Sequence, residues 1–192
     1  GRTLVKSSDI VQHWSHGEPT YYETDYLPRC FAEADYIINF PCLKGHGAGI
    51  TLCGKNHYGS YIRLPDESGY YDLHPSLAGN SFQPNMGNYR ALVDIMGHSD
   101  MGQKTLLYLI DGLYGGYYWQ GTPYKWQMSP FNNDWPSSLF VSQDPVAIDS
   151  VGLDFLWEEW PHVARVPGVD DYLHEAALAD NPPSGTFYDP DG

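Results

Sequence analysis

Positive charge is scarce in this chain: 10 Lys and Arg stand against 24 Asp and Glu over 192 residues, a net charge of -14. That balance repels phosphate backbones and anionic bilayer surfaces, which argues against nucleic acid and membrane surfaces as partners. Cysteine is scarce too. Cys30, Cys42 and Cys53 are odd in number and too few for a disulfide framework, and no C-x-x-C or haem-attachment spacing occurs. No apolar run approaches the roughly 20 residues that span a bilayer, and no basic-then-apolar leader stands at the front. The P-loop, the dinucleotide fingerprint, G-x-S-x-G and H-E-x-x-H are absent as well, so the familiar nucleotide, nucleophile and zincin mechanisms have no support.

What is present begins with a 42% hydrophobic content, enough for one well-buried domain over residues 1–192 and short for two. The chain lacks an initiator Met and ends on Tyr188-Asp189-Pro190-Asp191-Gly192 without a closing element, the expectation for a fragment or a processed product. Between Thr24 and Ala34, Tyr26, Leu27, Phe31 and Ala34 recur at helical spacing. Tyr36 to Phe40 reads as a short buried strand stopped by Pro41. Asn88 caps an expected helix through Met96, followed by a strand over Thr105–Ile110 that ends at Asp111-Gly112. Ser138–Ser142 is strand-like, and Asp144-Pro145 opens a helix running to about Trp160. Strands alternating with helices predict an α/β fold, a mostly parallel sheet flanked by helices, with long aromatic-rich loops over Tyr58–Pro84 and Leu113–Pro136.

In such sheets ligands bind beyond the carboxyl ends of the strands. Lys44 and His46 are expected there after the first strand, Asp111 after the second and Asp144 after the third. The stretch from Pro41 to Gly59 repeats one pattern, Cys42, Lys44, His46 and then Cys53, Lys55, His57. As metal ligands, His46, His57 and Asp111 are suitable donors for a divalent ion, but C-x-x-x-H is not a structural zinc spacing. The cysteines read better as small buried packing residues. Two of only five lysines fall in this stretch, and with Gly45, Gly47, Gly49, Gly54 and Gly59 they suit a phosphate or carboxylate. The competing reading, glycines for turns and lysines paired with local acids, stands equally open. Asp149 shares a helix face with Val146, Leu153, Leu156 and Trp160, so its carboxylate lies against the core and needs a cation, a metal or backbone donors. Asp144 is explained by capping alone, and His98, His162 and His174 have no distinguishing spacing.

The run Ala34-Asp35-Tyr36-Ile37-Ile38-Asn39-Phe40-Pro41, the Leu43-Lys44-x-His46 segment, Thr51 followed by Lys55-Asn56-x-x-Gly59, Ile110-Asp111-Gly112, and Ser142-x-Asp144-Pro145-Val146-Ala147-x-Asp149 together resemble domain of unknown function 362, over roughly residues 35–156. The resemblance emphasises Lys44, His46, Lys55, Asn56, Asp111, Asp144 and Asp149, and does not emphasise Cys42 or Cys53. Members of that family are often described as iron-sulfur-centre proteins, but no iron-sulfur ligand cluster is evident in this sequence. Some members resemble exported proteins with twin-arginine signals, which implies a periplasmic or extracellular location.

Two functions of different class follow. One is a metal-assisted or redox-linked enzyme acting on an anionic small molecule, with Lys44, His46, Lys55, Asp111 and Asp149 as its working residues and Asn56, Gly59 and Asp144 lining the ligand. The other is a non-catalytic binding or assembly module in which Tyr117, Tyr118, Trp119, Tyr124, Trp126 and Trp135 contact a glycan, a protein or a second copy of the chain.

Overall fold

The computed structural model describes residues 6–15, 24–61, 73–74, 77, 87–162 and 167–192. Most of the expected loop Tyr58–Pro84 lies outside these residues. The segment around Lys6–His13 (β1) pairs antiparallel with Thr24–Pro28 (β2), which leads directly into a short helix, Arg29–Glu33 (α1). Only the second half of the helix expected over Thr24–Ala34 is therefore helical. Pro28 is extended, and Leu27 and Asp25 are buried in the pairing with β1.

The main sheet has five strands built on one long one, Thr105–Gly116 (β6). Ile37–Asn39 (β3) and Cys42–His46 (β4) both run parallel to β6, pairing Ile38 with Leu107 and Cys42 with Asp111. Ser138–Ser142 (β7) runs antiparallel to β6, pairing Ser142 with Tyr108 and Leu139 with Asp111. Because β7 occupies one edge of β6 at both positions, β3 and β4 lie end to end along the other. Pro41, which has no amide hydrogen, separates them, and its carbonyl accepts from Asp111 N at 2.9 Å. Gly49–Thr51 (β5) adds a hairpin to β4.

The sheet is thus mixed: β3, β4 and β6 run the same way, as expected of a mostly parallel sheet, while β5 and β7 run against them. Lys44 and His46 sit inside β4 and not in a loop after a strand; Asp111 lies mid-strand, because pairing on both edges carries β6 past Gly112.

Helices cover one face. Pro145–Glu159 (α4) starts as the sequence predicts, with Asp144 Oδ1 accepting from Val146 N at 2.8 Å and Ala147 N at 3.0 Å. It packs on β4, β6 and β7. Gly152 permits the close approach, since a Cβ there would lie 2.8 Å from Leu52 Cδ1 and 3.2 Å from Ile110 Cδ1. Beside it lie Cys53–Asn56 (α2), Ala91–Gly97 (α3) and Asp171–Ala177 (α5). The α3 cap position is Arg90 rather than Asn88; Arg90 is extended, and its guanidinium is ion-paired with Asp171 in the interior.

Alternation along the strands sends Ile38, Leu109, Asp111, Leu139 and Val141 to the opposite face. Among the described residues no helix covers that face: Ile38 is 60%, Leu139 55% and Val141 57% exposed. The aromatic loop after β6 is split. Trp126 is fully buried among Phe131, Phe155 and Trp160, at ring distances of 5.6, 6.4 and 5.1 Å, so it is core and not a surface contact.

Candidate functional site

The β4–β5 hairpin turns through Gly47 and Ala48 into Gly49, whose φ of 106° favours glycine. That turn orients His46. Its Nδ1 accepts from Ala48 N at 2.9 Å, which leaves the neutral ring's proton on Nε2. The imidazole stacks on His74 at 5.4 Å and 19°, and Trp119 lies 6.1 Å away. His74 meets Tyr58 edge-on at 5.8 Å, and Lys55 Nζ stands 5.0 Å above the Tyr58 ring. Burial first, then the charges of Lys55, His74 and Lys44, push the His46 pKa down to about 4. Lys55 and Lys44 supply positive charge to the ring. At neutral pH the ring is therefore an uncharged donor through Nε2 within a concentration of positive charge.

Lys55 is carried by α2, and α2 is held from beneath by Asp149. Cys53 N and Gly54 N donate to its two carboxylate oxygens, each at 2.8 Å, and Tyr172 OH donates at 2.9 Å. Burial drives the Asp149 pKa up to about 6 against these donors. Of the partners expected for this buried acid, backbone amides supply the answer, not a lysine or histidine. Gly54 is required by the close approach: a Cβ would lie 3.0 Å from Tyr172 Cε2 and 3.2 Å from Asp149 Oδ2. Asn56 Nδ2 donates to Asn39 Oδ1 at 2.8 Å and Asn39 Nδ2 to Cys53 O at 2.9 Å, tying the far end of α2 to β3.

Three of the sequence-derived residues, Lys44, His46 and Lys55, are thus brought together. Asn56 and Asp149 sit behind them as supports. Asp144 caps α4, and Asp111 lies on the uncovered sheet face, where Oδ1 accepts from Leu113 N at 2.9 Å; it forms no ion pair with Lys44 among the described residues. Gly59 meets nothing that a side chain would disturb. His57 is buried, with Nδ1 3.2 Å from Ser60 Oγ and its ring edge-on to Phe31; its Nε2 has no partner among the described residues. Burial lowers its pKa to about 4.

Among the described residues no three or more His, Cys, Asp and Glu are grouped as ligands for a metal ion, so His46, His57 and Asp111 occupy separate settings. The cysteines are also apart. Cys53 is buried, its thiol pushed upward by burial and by Asp149, whereas Cys42 is exposed and so is not the packing residue expected.

His74, Tyr58 and Trp119 complete the cluster; the sequence did not single out His74 or Tyr58, and it marked Trp119 only as an aromatic contact for a glycan or protein. His74 lies between Leu73 and Pro75 in a stretch without periodicity, so only contact in space identifies it. A separate cavity of about 430 Å³ opens between α3, the start of α4 and residues 188–191. Its described lining is mostly apolar with Asp189 and Asp191 and holds no cation, which makes it a poor receptor for an anion.

A family model with the description Domain of unknown function (DUF362) matches residues 5–154, well over half of the chain. No curated protein and no solved structure gives a match.

Proposed function

Taking as premise that the chain belongs to the domain of unknown function 362 family, we propose that it binds a small anionic molecule at Lys44, His46, Lys55 and His74. The observation that carries this reading is the gathering of Lys44, Lys55 and His74 about His46, with His74 stacked on the imidazole and Lys55 over the neighbouring Tyr58 ring, in a chain whose net charge is -14. Two of the chain's five lysines drawn to one neutral imidazole give an anion a favourable field at that ring.

The chemistry available is binding coupled to a proton. A bound carboxylate or phosphate accepts from His46 Nε2 and offsets the field of the lysines, while Nδ1 is engaged by the Ala48 amide, so a second proton enters the ring only when that amide contact opens. A bound anion favours the protonated ring, and affinity rises as pH falls toward the His46 pKa of about 4. With the Ala48 contact opened, the ring can hand a proton to its ligand, which supports an enzyme of the acid-base type.

The test is titration with inorganic phosphate and with glucuronate, reading the His46 ring signals by NMR and heat by calorimetry. Lys44→Ala and His46→Gln should weaken binding by about tenfold each while leaving the thermal midpoint nearly unchanged. If both anions leave the His46 signals unmoved at millimolar concentration, the reading is wrong.

A further inference from the structure

Four exposed rings run outward from the cation cluster. Trp119, 6.1 Å from His46, is followed by Tyr118 at 5.9 Å, Tyr117 at 6.4 Å and Tyr124 at 5.6 Å, each the next ring's neighbour. They are 45%, 40%, 39% and 49% exposed, while Trp126 from the same loop is fully buried. The loop has therefore sorted its aromatics, some into the core and a continuous row onto the surface. Leaving four aromatic faces in water forgoes the burial that holds Trp126, and a row with hydroxyls along it matches a ligand with apolar faces and polar edges.

Among the described residues, cations gather at one end of this row. Beyond the cluster, the described lysine next to the rings is Lys125, and it is engaged 3.7 Å from Asp134. A nucleic acid strand would stack on aromatic rings too, but it brings a phosphate with every base and needs cations along the whole track. A uniformly charged polysaccharide has the same requirement. A single small anion would fill the cationic end and leave the row unused.

Resting on the anion-binding reading above, we infer that the ligand is an oligosaccharide with one acidic sugar at its end. The carboxylate of the terminal uronic acid is held by Lys44, His46 and Lys55, and the neutral sugars that follow stack along Trp119, Tyr118, Tyr117 and Tyr124. Sugar rings present C–H faces to aromatic rings and hydroxyls to the tyrosine edges.

Calorimetric titration of the full chain with an aldotetraouronic acid (one glucuronic acid linked to xylotriose), glucuronate, xylotetraose and tetragalacturonate tests this. The aldotetraouronic acid should bind at least about tenfold more tightly than glucuronate, xylotetraose or tetragalacturonate. Tyr117→Ala and Tyr124→Ala should each weaken it by about 3- to 10-fold and leave glucuronate binding and the melting temperature unchanged. Equal affinity for glucuronate and the aldotetraouronic acid, or tighter binding of tetragalacturonate, overturns the oligosaccharide and leaves the anion site standing. Indifference of the aldotetraouronic acid to both tyrosine substitutions overturns it as well. Failure of glucuronate and phosphate to bind at all removes the anion site and this inference with it.

Discussion

His57 contributes to stability through the charge it does not carry. Buried, with its pKa lowered from 6.5 to about 4, it stays neutral when folded while the unfolded chain takes up a proton below pH 6.5. Stability is therefore lost as pH falls from about 6.5 toward 4, and half-buried His46 adds a smaller loss of the same sign. Asp149 acts oppositely: raised from 3.8 to about 6, it contributes stability at low pH that is lost as pH rises through that range. In urea titrations, His57→Gln should reduce the loss between pH 6.5 and 4.5 by about 2 kcal/mol relative to the unsubstituted chain. A pH dependence unchanged by the substitution would mean that His57 is hydrated or already paired. At this scale the sequence drew attention to the stretch holding Lys44, His46 and Lys55, which the structure brings near one another, because scarcity of lysine makes a local excess visible in one dimension. It did not mark His74, and it marked Trp119 only as an exposed aromatic, because no pattern in the chain links either of them to His46.

The α2 turn is short, four residues with no side-chain cap of its own, and depends on Asp149 in α4 for its position. Asp149→Asn keeps the size but offers one acceptor oxygen to two amides, so one amide is left facing a donor at a cost of about 1–3 kcal/mol. Glucuronate affinity should fall with it, although Asp149 touches no ligand, because Lys55 moves with the turn. Calorimetry at a temperature where the variant is fully folded checks this, and unchanged affinity would detach Lys55 from the site. Element by element, the strand after Asp35, the strand after Lys104 and the capped helix at Asp144 were legible from apolar runs and from Asp-Pro chemistry, although the first strand is not the buried one expected, since Tyr36, Ile38 and Phe40 are exposed. The direction of β7 was not, since a run of apolar residues reads the same in a parallel or an antiparallel pair. Pro41 misled for a definite reason: it interrupts the edge of a strand that resumes as β4 instead of ending it, which put Lys44 and His46 in a loop on paper and in the sheet in space.

Across the whole molecule the main sheet is helix-covered on one face only among the described residues, and Leu139 and Val141 face outward with Ile38. Leu139 lies opposite Asp111 in the antiparallel register. Leu139→Lys would replace an exposed apolar contact with a cross-strand charge pair, changing stability by no more than about 0.5 kcal/mol. It should also lower the binding of an apolar fluorescent dye; a large loss of stability instead would show that the face is packed. The clasp on α2 acts at this scale as well. The two amides that Asp149 holds lie 96 and 95 residues before it. Closing so long a loop costs entropy before the contact is made, whereas the β4–β5 hairpin closes locally. Translated into time, the cation cluster is assembled late: His46 is placed with its hairpin, and Lys55 joins it only once α4 has formed and docked. In pulse-labelled refolding, Cys53 and Gly54 amides should gain protection together with α4 and after the hairpin, and protection ahead of α4 would reverse that order.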